Sequence, residues 1–188
     1  AERQLKMVFP PHGRVPADLI TVQIRWGDKI VEMKARAKVT IEQFIDAVYE
    51  IIEEKRKLPR DSPVNIFLAT EDLSAIEQFH SHAPKQWKIH VDAYHTELQS
   101  IKQMVNSDPT FTHTKGGNYN ENPRISEATG GRAGVVALGS LLVAMEADAF
   151  VLTTTSNWSR LMNELRKNVV DPRCQRCTHM VDLLPGEW

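Results

Sequence analysis

Leu19-Ile-Thr-Val-Gln-Ile24 is a short run of mostly β-branched and apolar residues, followed at once by Arg25-Trp-Gly-Asp28-Lys29. A run of this length and composition, closed by a polar, glycine-containing loop, reads as a buried strand. Farther along, Ala149-Phe-Val-Leu-Thr153 repeats the arrangement and hands over to Thr154-Thr155-Ser156-Asn157-Trp-Ser-Arg160. Both loops open toward a helical pattern. In an open α/β sheet they would sit at the carboxyl ends of strands, where such folds bind ligands. One loop offers a guanidinium and the other hydroxyls, with backbone N–H groups beside them, a set suited to phosphate oxygens. In outline this is a nucleotide-type site.

The rest of the chain is organised around these two runs. From Thr40, a plausible N-cap, the residues Ile41, Phe44, Ile45, Val48, Ile51 and Ile52 recur at spacings of three and four, and the pattern ends in Lys55-Arg56-Lys57. This is an amphipathic helix. Pro59 and Pro63 bracket a turn, and Val64 to Ala69 forms a second strand that ends at Thr70-Glu71-Asp72. A helix over about 72–81 leads to a third strand at about 87–91. The spacing is that of successive β-α-β units with right-handed crossovers. Residues 106–129 are polar and rich in Gly, Asn and Pro, so they read as a functional or locally disordered loop. Lys115-Gly-Gly-Asn118 within it lacks the Walker spacing and a preceding strand. Residues 131–147 read as a helix apolar nearly all round and hence packed in the interior. The fourth strand at 149–153 and a helix at 157–167 follow. The expected fold is α/β, a Rossmann-like three-layer α/β/α arrangement with a mostly parallel sheet. It forms one domain over 1–188, with a lead-in segment at 1–18 and an irregular tail at 168–188.

With 188 residues, 41% of them apolar and 25% charged, the chain fits a single globular domain. Lys and Arg number 23 against 24 Asp and Glu, a net charge of −1. No global field then draws the protein to nucleic acid or to an anionic membrane. The most apolar stretch, 133–155, is broken by Glu146 and Asp148 and carries Gly139 and Ser140 midway, so no membrane span is expected. The start at Ala1, running into Met7-Val-Phe-Pro-Pro11, has the look of a fragment or a processed chain. Cys174 and Cys177 form a C-x-x-C followed by His179, open to reading as a tail-pinning disulfide, two plain thiols, half a zinc site or a redox pair. The histidines at 80, 82, 90, 95, 113 and 179 are scattered, and no metal cluster is expected.

Four groups of residues are candidates for chemistry, each with two readings. Arg25, directly after a buried strand, meets either a phosphate or a carboxylate, Asp28 or Asp72. Thr155, Ser156 and Asn157 either hold phosphate at a helix N-terminus or, through Ser156 or Asn157, simply cap that helix. Thr70-Glu71-Asp72 either opens a helix with acidic residues in its first turn or supplies a carboxylate that orients Arg25 or a ribose hydroxyl. Glu32 is either a general base at a cleft rim or an exposed loop glutamate.

At these motifs the chain resembles the nucleotide-binding half of the fucosyltransferase superfamily that includes the α1,6-fucosyltransferases, the nodulation fucosyltransferases and the protein O-fucosyltransferases. That family opens this half with an H-x-R-x-x-D-K-like loop. Here Arg25, Asp28 and Lys29 match it, and Gln23 stands where histidine is usual. Ile66-Phe-Leu-Ala-Thr70-Glu71-Asp72 is similar to a strand ending A-T-D-D, and the segment from Glu146 to Arg160 to a Q-A-D-x-x-V-x-T-x-S-S-x-x-x-R pattern. The likeness covers about residues 19–165 in order. It implies one lobe of a GT-B glycosyltransferase that transfers a sugar from GDP-fucose or another GDP-sugar to a glycan or glycoprotein hydroxyl, with inversion and without metal or cofactor. The acceptor lobe would lie outside this chain. Gln23, Arg25, Asp28, Lys29, Thr70, Asp72, Thr155, Ser156 and Asn157 would line the donor site. Arg25 would neutralise the departing β-phosphate, and Glu32, reached through an alignment gap that Met33 otherwise fills, would be the base. Two departures stand out. Ser140 or Gly139 occupies the helix position where the family often carries a guanine-reading aspartate, and Trp26 replaces a second basic residue. Relatives act in the Golgi or endoplasmic reticulum lumen in eukaryotes and in the cytoplasm in bacteria.

Overall fold

The computed structural model describes residues 2–26, 39–92 and 121–186. β1 (Leu19–Gln23) forms where the first apolar run lies, and all five of its residues are buried. It pairs in parallel with β2 (Asn65–Ala69) on one edge, from Leu19 opposite Asn65 to Gln23 opposite Ala69. On the other edge it pairs in parallel with β4 (Ala149–Leu152), Ile20 lying opposite Ala149 and Val22 opposite Val151. β3 (Lys88–His90) extends the β2 side and β5 (His179–Asp182) the β4 side, giving the order β3-β2-β1-β4-β5 with every pair parallel.

The pleat sends alternate residues to opposite faces. Ile20, Val22 and Ile24 of the β1 segment meet Phe44, Val48 and Ile51 from α2 (Ile41–Glu50) and the wide turn that continues it, and Phe79 from α3 (Leu73–His82). Leu19 faces the other way, into a second core built by α1 (Glu2–Val8), α5 (Arg132–Ala144) and α6 (Asn157–Leu165), where Val8, Leu141, Ala144 and Met162 are buried. α4 (Glu121–Ala128) leads into α5, and α7 (Asp171–Cys174) precedes β5. The result is the expected three-layer α/β/α, Rossmann-like fold. Helices change face where the strand order reverses, as a constant crossover hand requires, and the reversal falls between β1 and β4.

Local chemistry accounts for the helix starts. The Thr40 hydroxyl accepts from Gln43 N at 3.4 Å while the Gln43 side chain accepts from Thr40 N at 2.8 Å, a reciprocal cap. Asp72 caps α3 by accepting from Ala75 N at 3.1 Å. Arg56, at the basic end of the helical segment as expected, reaches the amino edge of the sheet. It donates to Asp18 O at 3.0 Å and pairs with Asp148, clamping the residues that precede β1 and β4.

Three expectations are corrected. The lead-in segment carries α1, and Val8 and Phe9 are buried, with Phe9 set edge-on to His90 at 4.8 Å between ring centroids. The tail is not irregular: α7 and β5 lie in it, and β5 escaped notice because four partly exposed residues at a sheet edge show no apolar period. α5 is not interior all round. Only its Gly139, Leu141, Val143 and Ala144 side is buried, and Val135, Leu138 and Leu142 are 71%, 58% and 52% exposed. Within the polar stretch, 121–128 is helical, and 101–120, with Lys115 to Asn118, lies outside the described residues. Among the described residues no helix is long and apolar enough to cross a membrane.

Two polar side chains on the α5/α6 face of β1 are spent on cross-layer bonds. Thr21 donates to Ala144 O at 2.8 Å, and Gln23 Oε1 accepts from the Ser159 hydroxyl of α6. The Ser159 oxygen in turn accepts from Thr153 N at 3.3 Å, so one hydroxyl ties β1, the end of β4 and α6 together. Ser159→Ala should cost about 1–3 kcal/mol in urea unfolding, because it leaves a buried amide N–H and a buried carboxamide without partners. Adding Gln23→Leu should cost less than it does alone in the wild-type background, since the bond is already gone.

His90 supplies a pH test. It is buried, and its Nε2 sits 3.0 Å from Asn65 Oδ1. Burial first, and the Lys88 charge second, push its pKa below the ordinary histidine value of 6.5, against smaller opposing effects of the Val8 backbone and Asp18. The unfolded chain therefore takes up this proton before the folded one, and the stability present above pH 6.5 is lost as pH falls through the lowered value. Between pH 7 and 5 the melting temperature of the wild type should fall more steeply than that of His90→Gln. Parallel slopes would remove His90 from the account.

Candidate functional site

The crevice at the β1/β4 reversal has one motif on each side. Ile24 N still donates to Ala69 O at 3.1 Å, so strand pairing runs to Ile24 and Arg25 is the first residue beyond it. The Arg25 side chain is 30% exposed, and its Nη1 lies 3.5 Å from Glu71 Oε2, itself 49% exposed. Of the two expected partners, Asp72 is turned instead onto the first turn of α3, and Asp28 lies outside the described residues. Thr70 is buried and its hydroxyl accepts from Asp72 N at 3.2 Å, which shapes the turn that presents Glu71. An ion pair this open to water contributes about 0–1 kcal/mol.

Across the crevice, the turn from β4 into α6 is held from within. Ser156 N donates to Thr153 O at 2.9 Å, Thr155 N to Leu184 O at 3.2 Å, and Thr154 N to Asp182 Oδ1 at 3.1 Å. These amides are committed to the protein itself. What the turn offers a ligand is the side chains of Thr155, Ser156 and Asn157 and the first-turn N–H groups of α6, which an α-helix leaves without intrahelical partners. Ser156 stands at the N-cap, 9% exposed, yet makes no side-chain capping bond. Plain capping by its hydroxyl is therefore not what the structure holds. Thr155 is half-buried and Asn157 exposed.

Gln23 lies beneath the crevice rather than on it. Strand alternation puts it on the Leu19 and Thr21 side, where its carboxamide oxygen is taken by Ser159. The structure thus brings together Arg25, the Thr70–Asp72 turn and Thr155 to Asn157 at the carboxyl edge of adjacent strands. Asp28, Lys29 and Glu32, with Met33, lie outside the described residues. Ser140 donates to Asp92, which follows β3 and is 1% exposed, so this α5 position faces a carboxylate already enclosed in the fold.

The carboxylate that the Thr70–Asp72 turn brings to Arg25 is that of Glu71, and sequence reasoning missed Ser159 and Asp182, which hold the two loops from a distance. A signal was present for Asp182: an acidic residue ending a short apolar run, two residues before Leu184-Pro-Gly186.

At the far end of α6, Cys174 and Cys177 form a disulfide. Asp171 and the two sulfurs place their ligand atoms within 4.8 Å of one another. The carboxylate, however, accepts from the Thr178 hydroxyl at 2.6 Å, Thr178 N at 3.1 Å and Arg166 Nη1 at 2.9 Å. Burial alone would raise the Asp171 pKa, but the Thr178 bonds and the charges of Arg166 and Arg176 outweigh it and hold the group below the usual carboxylate value. This cluster closes a loop rather than presenting ligands. The concavity beside Lys167, Gln175 and Arg176 belongs to it and not to the crevice.

Compared with protein-family models and with curated proteins, the chain matches none.

Proposed function

We propose that the protein binds a nucleotide-sugar across the β1/β4 crevice, as the donor-binding part of an inverting, metal-independent glycosyltransferase of the GT-B type. A GDP-sugar, fucose foremost, is the donor suggested by the fucosyltransferase-like motifs, and the acceptor is a glycan or glycoprotein hydroxyl. The observation that supports this reading is the placement of Arg25 and of Thr155, Ser156 and Asn157 on either side of the point where strand order reverses.

In this reading the diphosphate spans the crevice. The N-terminal turn of α6, with its partial positive charge and free first-turn N–H groups, takes one phosphate, helped by the Ser156 hydroxyl. Arg25 leaves Glu71 for the other. As the sugar–oxygen bond breaks, negative charge grows on the β-phosphate, and a guanidinium at that place favours departure more than it favours ground-state binding. Glu32 would take the acceptor proton so that the hydroxyl oxygen attacks the anomeric carbon from the opposite face.

A second reading has its own support: a non-catalytic module that keeps the scaffold without the donor. Arg25 already meets Glu71, and Gln23, standing where histidine is usual, is committed to Ser159. Isothermal titration with GDP, UDP and ADP separates the two. The donor reading expects GDP to bind in preference to the others and Arg25→Ala to weaken it about 10- to 100-fold, the loss of one charge-assisted contact, with the melting temperature in the absence of ligand little changed. Unchanged GDP binding in Arg25→Ala would exclude the phosphate role. If no nucleotide binds the wild type or raises its melting temperature at millimolar concentration, the second reading stands.

A further inference from the structure

The last described residues do more than complete the sheet. Asp182 ends β5 opposite Leu152, the last residue of β4, and its side chain reaches past the end of that strand. Oδ1 accepts from Thr154 N at 3.1 Å and from Leu184 N at 3.3 Å, and Oδ2 accepts from the Thr154 hydroxyl. Leu183 N donates to Leu152 O at 2.9 Å, and Leu184 O receives Thr155 N at 3.2 Å. Gly186 N then donates to the Thr154 hydroxyl oxygen at 3.0 Å. A Cβ at Gly186 would lie 2.8 Å from Thr154 O, so the segment approaches the turn closely enough to admit only glycine without a shift. Residues 182–186 thus strap the turn that starts α6, gripping Thr154 and Thr155 immediately before the N-cap.

We infer that Asp182 is a positioning residue for phosphate binding. Its carboxylate, with Leu184 and Gly186, fixes the backbone of Thr153 to Ser156 so that the Ser156 hydroxyl and the first-turn N–H groups of α6 are set for a diphosphate before it arrives. This rests on the donor site proposed above. The strap touches no ligand in this account. By taking the Thr154 N–H and hydroxyl for itself, it also keeps a phosphate from settling one residue early and confines the anion to the helix end. Preorganisation of this kind lowers the ordering cost of binding, and the loss should appear only for ligands that carry phosphate.

The test compares Asp182→Ala, Asp182→Asn and Gly186→Ala with the wild type by amide hydrogen exchange at Thr154 and Thr155 without ligand, and by titration with GDP, pyrophosphate and guanosine. In Asp182→Ala both amides should exchange at least about tenfold faster, and affinity for GDP and pyrophosphate should fall about tenfold while that for guanosine holds. Asp182→Asn, which keeps an acceptor for Thr154 N, should restore most of both. Gly186→Ala carries the same comparison if Asp182→Ala does not fold. Faster exchange with unchanged GDP affinity, equal losses for GDP and guanosine, or unchanged exchange in a protein that binds GDP would each overturn the inference and leave the donor reading standing. A wild type that binds neither GDP nor pyrophosphate would overturn both.

Discussion

β1 is hydrogen-bonded along both edges and packed on both faces, and every other described element takes its position from that enclosure. Its five residues are at most 3% exposed. A strand so enclosed must spend each polar group inside the fold. Thr21 does so on the last turn of α5, and Gln23 on Ser159 of α6. The chain leaves β1 toward β2 and β3 and later returns to its other side as β4 and β5, so the reversal that creates the crevice follows from β1 being central. Burying side chains such as Ile20, Val22 and Leu19 contributes about 1.5–3 kcal/mol each before the entropy of ordering is counted, which anchors the crevice to the buried centre of the sheet.

The two edges of the sheet use polar residues in opposite ways. At the amino edge, Arg56 joins the residues before β1 and β4, its own side chain 11% exposed and that of Asp148 43%, while Asn65 donates to Asp18 at 2.9 Å and meets the buried His90. At the carboxyl edge, Arg25 and Glu71 meet in the open, and the N-cap hydroxyl of α6 makes no capping bond.

How much of this the sequence disclosed follows from the range of each interaction. The helix at Ile41 was legible because its apolar positions recur with the helical period and Thr40 and Gln43 cap it locally. β1, β2 and β4 were legible as short apolar runs between turn signals. α1 and α4 lie in segments without a clear apolar stripe, and β5 is an edge strand of four partly exposed residues, so none left a period to read. The exposed flank of α5 shows that apolar composition does not tell which side of a helix is covered. In the site, the positions of Arg25 and Thr155 to Asn157 were legible because strand ends are local features. The residues that hold them were not: Ser159 stands 136 residues from Gln23, and Asp182 28 from Thr154.

The strap from Asp182 to Gly186 also orders the site in time. A chain emerging amino end first can pair β1 with β2, and then with β4, while the residues that grip Thr154 and Thr155 have yet to be made. Until residues 179–186 have emerged, β4 is a sheet edge with unpaired backbone groups, and the turn into α6 has lost the bonds that hold it. The nascent domain therefore passes through an interval in which β1, β2 and β4 are paired, the turn into α6 is not yet held, and one strand edge is open to pairing with another chain. That interval lasts from the end of β4 at Leu152 until Gly186 has been made, with the whole of α6 and α7 in between.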